Sequence, residues 1–160
     1  TWLARPNSAS SVLVIVSVVI TVVGVAMFQL ISSRVRASEG TLVWSVLPGQ
    51  EYGLFVVIVI VVIASITNAT FEELLWRVGL PQLFPERVHT LVQWLVLSII
   101  FGLSHINGTP GGTVGMVFAG LFGFAMCVIR RLSRGTVLWI VVAHFVADVI
   151  LIGAVYGFLS

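Results

Sequence analysis

Val56-Val-Ile-Val-Ile-Val-Val-Ile-Ala-Ser-Ile-Thr-Asn-Ala-Thr-Phe-Glu-Glu-Leu-Leu-Trp-Arg77 decides how this chain is read. An unbroken apolar run leads into two adjacent acids, Glu72 and Glu73, with Arg77 four residues beyond the second. The run is long enough to cross the roughly 30 Å hydrocarbon core of a bilayer. A carboxylate at the centre of such a helix costs about 2.5–3.5 kcal/mol on insertion scales, so acids there mark a functional site.

The rest of the chain agrees with a life in lipid. Of its 160 residues 59% are hydrophobic and only 9% are charged. A soluble domain carries roughly 25% charged residues, enough polar surface to coat a globule. The eight basic residues are all arginine, and against six acids they leave a formal charge of +2. That scattered surplus excludes a nucleic-acid partner. Cys127 is the one cysteine, so no intrachain disulfide forms, and its apolar surroundings suit inert packing.

Five apolar segments are long enough to consider as spans: residues 11–31, 52–80, 88–105, 113–129 and 136–159. They run without in/out alternation, which argues against a β-barrel. The expected fold is therefore all-α, a polytopic transmembrane helix bundle of about five spans, forming one domain over residues 1–160. The chain begins at Thr1, which suggests that a further N-terminal piece precedes it. Pro81 to Arg87 reads as a break, Asn107 to Gly112 cannot be regular helix, and Arg130, Arg131 and Arg134 read as a basic turn. Arginine counts on the two sides place the N-terminus, the 81–87 turn and the 130–134 turn in the cytoplasm. Gly111, Gly115, Ala119 and Gly123 recur every fourth residue, a stripe that lets a neighbouring helix come close inside the bundle, or in the minority reading a second copy.

The ionisable residues within the segments are Glu72, Glu73, Arg77, His105, His144 and Asp148, with His89 at an entrance. Glu73 and Arg77 stand at i,i+4 with the acid first, the better order for an ion pair. His144 and Asp148 are also i,i+4 and share a face. Left unpaired, these groups would cost on the order of 10 kcal/mol in lipid, so one shared, partly hydrated cavity is the economical arrangement. A carboxylate beside an imidazole can activate a water. Two histidines with an acid can instead hold a divalent metal such as zinc, with His105, His144, Asp148 and Glu72 as the candidate ligands. No Ser or Cys is placed as a nucleophile, and the His-Glu-x-x-His pattern is absent.

Glu72-Glu73-Leu-Leu-Trp-Arg77 resembles the Glu-Glu-x-x-x-Arg motif of the CAAX protease and bacteriocin-processing (CPBP, or Abi) intramembrane proteases. Phe101-Gly-Leu-Ser-His105 resembles the family's Phe-x-x-x-His, and His144-Phe-Val-Ala-Asp148 its His-x-x-x-Asn/Asp. The order matches, and the resemblance covers residues 52–159, with residues 11–31 as an additional span. It implies an integral membrane endopeptidase, in a bacterial cytoplasmic membrane, that acts on peptides or membrane proteins. It also implies roles: Glu72 as general base, His105 sharing the activated water, His144 and position 148 stabilising the oxyanion, Glu73 and Arg77 shaping the site. Asp148 departs from the amide found in many members, because a carboxylate donates to an oxyanion only when protonated. A second carboxylate near Glu72 can raise one pKa enough for that; alternatively Asp148 orients His144 or binds a metal. Two other readings compete: a non-catalytic membrane subunit serving as scaffold or immunity partner of a larger complex, and a proton or ion pathway.

Overall fold

The computed structural model describes residues 54–108 and 111–155, together with residues 12, 15, 19, 22–24, 26 and 27 of the first apolar segment. The eight described residues of that first segment are helical. Expectations that fall on residues 1–11, 28–53 and 156–160 lie outside the described residues.

Among the described residues the elements are helical throughout. Helix α1 runs Leu54–Glu73 and continues without a break into a wide π-turn, Leu74–Gly79, and a 3-10 turn, Leu80–Leu83. Helix α2 runs Thr90–Ser104, α3 Gly112–Leu132 and α4 Val137–Val155. Two stretches, Phe55–Leu83 and Gly112–Leu132, are long and apolar enough to cross a membrane. The third expected span is shorter than its sequence suggests. Its 15 residues give about 22 Å at 1.5 Å per residue, less than a bilayer core. His105 follows α2 as its C-cap, outside the helix.

The distribution of side chains is inverted relative to a soluble protein. On α1, Phe55 is 78% exposed and Ile63 58%, whereas Ser65 and Glu73 are 0% exposed. Lipid is as apolar as these side chains, so nothing drives them inward, while polar groups must find partners inside. Helix α1 packs along α4, and α2 along α3. The second pair touches through glycine. A Cβ on Gly102 would sit 2.6 Å from the Met116 carbonyl oxygen and 3.1 Å from the Gly120 Cα. Gly115, Ala119 and Gly123 are buried, so the small-residue stripe packs within the bundle.

Two expectations at segment ends change. Arg130 and Arg131 belong to the last turn of α3 and not to a loop, where cations meet the negative end of the helix dipole. The turn itself is Ser133–Gly135, with Arg134 at φ 56° and Gly135 at φ 82°. Gly112, expected in the irregular stretch, opens α3 at φ 69°.

Candidate active site

The π-turn begins immediately after Glu73, at the acidic pair. Pro81 accounts for the irregularity that follows. Proline has no N–H, so the Arg77 carbonyl four residues earlier loses its helical donor. Arg130, reaching across from α3, donates to that carbonyl from Nη1. Next in line, the Val78 carbonyl receives the Gln82 side-chain amide at 2.8 Å. Two side chains thus satisfy main-chain acceptors that could not be left bare at membrane depth.

The same break sets the direction of Arg77. Its guanidinium is 3% exposed and turns inward, with Nε 3.3 Å from Glu73 Oε2. Nη2 donates to the Gly123 carbonyl at 3.1 Å. Its Cζ lies 4.7 Å above the Phe101 ring, in cation–π range. Phe101 also meets Trp76 edge-on at 5.3 Å between centroids and packs against the His105 ring at 4.6 Å. The two motifs on α1 and α2 therefore join through one phenyl ring.

Glu73 is shared. Its other oxygen, Oε1, accepts from His144 Nδ1 at 2.7 Å. The far edge of that imidazole, Nε2, faces Glu72 Oε2 at 3.7 Å and Asp148 Oδ1 at 3.5 Å. An Nδ1 in contact with a carboxylate oxygen carries the proton. A second proton on Nε2 turns the remaining contacts attractive, so the position suits an imidazolium among three carboxylates. Phe122 closes one side of the ring, edge-on at 5.0 Å.

His105 stands at the margin of this network, half-buried. Its Nδ1 lies 2.8 Å from the Phe101 carbonyl, which fixes that nitrogen as a donor and leaves Nε2 with its lone pair. His105 meets the network through Phe101, whose ring it shares with Arg77. The structure thus gathers Glu72, Glu73, Arg77, His144 and Asp148 into one network with His105 at its edge.

Asn68 was not among the sequence candidates. Its amide nitrogen donates to Asp148 Oδ2 at 3.1 Å. The signal was present in the spacing, since Asn68 stands one turn before Glu72 in an apolar run. Helices α1 and α4 run antiparallel here, and their i,i+4 pairs make two rungs, Asn68 with Asp148 and Glu72 with His144.

Among the described residues no group of three or more His, Cys, Asp or Glu side chains is placed to hold a metal ion. His144 has Nδ1 committed to Glu73, and Asp148 Oδ2 is committed to Asn68. Those engagements are of the kind a ligating histidine also makes, so the fit of a divalent ion rests on the atoms that remain, His144 Nε2 with Glu72 Oε2 at 3.7 Å and Asp148 Oδ1 at 3.5 Å.

A family model described as type II CAAX prenyl endopeptidase Rce1-like matches residues 54–150, well over half of the chain. No curated protein and no solved structure matches it.

Proposed function

The chain belongs to the Rce1-like type II CAAX prenyl endopeptidases, and on that premise we propose that it is an intramembrane endopeptidase using a water activated by Glu72. One observation carries the assignment. Glu73 is fully enclosed, paired with Arg77 at 3.3 Å and accepting from His144 at 2.7 Å, whereas the Glu72 side chain keeps 19% of its surface open and has only His144 Nε2 near it, at 3.7 Å. Of the two acids, Glu72 is the one with room for a water.

In this reading Glu72 takes a proton from water while His105 Nε2 accepts the other hydrogen and fixes the orientation. The nascent hydroxide adds to the scissile carbonyl, forming a C–O bond and an oxyanion. His144 Nε2–H lies on the same side of the network and donates to that oxyanion. As the C–N bond breaks, Glu72 returns its proton to the leaving amine. Glu73 holds His144 in place from the opposite ring nitrogen, and Arg77 balances Glu73. The substrates are peptide segments that reach membrane depth, such as lipid-anchored tails or membrane-protein termini.

The test is purified protein in proteoliposomes with an internally quenched, farnesylated peptide, followed by product mapping on membrane-protein extracts. Glu72→Gln is expected to lower turnover by roughly 100- to 10,000-fold, the range for general acid–base groups, with unfolding temperature unchanged. Equal, measurable turnover by Glu72→Gln would sink the role of Glu72, and no turnover by the native chain would leave the scaffold role. Turnover abolished by a chelator and restored by zinc would bring a metal into the mechanism.

A further inference from the structure

The reaction proposed above builds negative charge on a carbonyl oxygen at a place crowded with carboxylates. Glu72, Glu73 and Asp148 all lie against His144. A lone imidazole N–H there is a thin provision for an oxyanion, and two donors are the usual minimum in such sites. Arg77 is not placed to help, because it is 3% exposed and its guanidinium lies against Glu73 and the Gly123 carbonyl. Asp148 cannot help as a donor either, since Oδ2 accepts a hydrogen bond and Oδ1 faces the imidazole.

Asn68 is the neutral donor at the network. Facing a carboxylate, its amide must present nitrogen and not oxygen, so the orientation of the group is settled by chemistry. That nitrogen carries two hydrogens, and Asp148 uses one. The residue lies one turn from Glu72 on α1 and is itself exposed, while its partner Asp148 is buried. An exposed amide in an otherwise lipid-facing run is costly unless a hydrated opening or a substrate meets it.

We propose that Asn68 is a catalytic residue that donates its second amide hydrogen to the oxyanion of the scissile carbonyl, with Asp148 holding the amide in place. The assignment rests on the endopeptidase reading, and it divides the work of positions 68 and 148 into donor and holder.

Four proteins test it in the same proteoliposome assay: the native chain, Asn68→Asp, Asn68→Asp/Asp148→Asn, and Glu72→Gln. Substrate is defined as any peptide, in the farnesylated probe or in membrane extract, whose cleavage Glu72→Gln abolishes. Asn68→Asp keeps the shape and removes both donors, and kcat is expected to fall by 10- to 1,000-fold with KM little changed. The double exchange puts an amide back across the same rung and is expected to recover at least 10-fold of that loss. A merely structural amide predicts a different pattern: a lower unfolding temperature that the exchange restores, with kcat per folded molecule unchanged throughout. Full kcat in Asn68→Asp, with Glu72→Gln inactive, overturns the role of Asn68 alone. Absence of any Glu72-dependent cleavage overturns the endopeptidase reading and takes the Asn68 assignment with it.

Discussion

Arg130 donates to the main-chain carbonyl of Arg77, the acceptor that Pro81 leaves without its helical donor. A basic residue at the end of one helix thereby completes the backbone of another, next to the acidic pair. Removing one side of such a bond exposes a buried acceptor, which costs about 1–3 kcal/mol. Arg130→Ala is expected to lose that much stability in detergent. In a Pro81→Ala background the new N–H can serve the carbonyl, so the loss on Arg130→Ala should shrink by about half or more. A double-mutant cycle on unfolding free energies measures the coupling, and additive losses would remove the link to Pro81.

Glu73 should behave unlike Glu72 although the two are adjacent. Glu73 is 0% exposed and touches both Arg77 and His144. Truncating one member of a buried charge network strands the others, at about 3–5 kcal/mol. Glu73→Ala should therefore fail to reach normal levels of folded protein, while Glu72→Gln folds normally. Thermal unfolding of both variants in one detergent is the check.

Arg77→Lys is expected to be a poor replacement. The native guanidinium serves Glu73 from Nε and the Gly123 carbonyl from Nη2, and it also stacks on Phe101. A single ammonium on a flexible stem cannot hold three partners in fixed directions. Turnover should drop at least 10-fold with partial loss of stability, and native turnover in Arg77→Lys would show that charge alone suffices.

Much of this arrangement was legible in the residues. The apolar runs announced helices, and the i,i+4 spacings of Glu73 with Arg77 and of His144 with Asp148 put each pair on one face. What spacing could not supply was which nitrogen of His144 meets which acid, because that depends on how α1 and α4 are set against each other. The spacing puts Asn68 on the face of Glu72, but its partner Asp148 is set by the same packing of α1 against α4. Arg130 was misplaced because a basic cluster after an apolar segment reads as a loop, and only the freed Arg77 carbonyl draws it into the bundle. The span over residues 88–105 was overlong because both its histidines are caps, His89 before α2 and His105 after it, with Val88 outside the helix.

Gly102 sets the closeness of α2 and α3. An added Cβ there meets main-chain atoms, the Met116 oxygen at 2.6 Å and the Gly120 Cα at 3.1 Å, and backbone cannot swing aside as a side chain can. Gly102→Ala should cost about 1–3 kcal/mol, the range for overpacking, and should displace Phe101 and with it His105. Gly24→Ala is the control, since nothing lies within 4 Å of its Cβ position and alanine favours helix by up to about 1 kcal/mol. Equal unfolding temperatures for the two variants would contradict the close crossing.

His105 offers a finer test, because its two nitrogens do different jobs. Nδ1 is tied to the Phe101 carbonyl at 2.8 Å, and Ser104 Oγ donates to the same carbonyl at 2.7 Å. Nε2 is the nitrogen left to face a water. Asparagine reproduces a donor near the Nδ1 position and nothing at Nε2. His105→Asn should therefore keep the cap of α2 and stay within about 1 kcal/mol of native stability, the net worth of one hydrogen bond. Its turnover should nonetheless fall by roughly 100-fold or more, because the water loses its second acceptor. If His105→Asn cleaves at the native rate, the water is oriented by another group, and the role of α2 reduces to carrying Phe101 against Arg77.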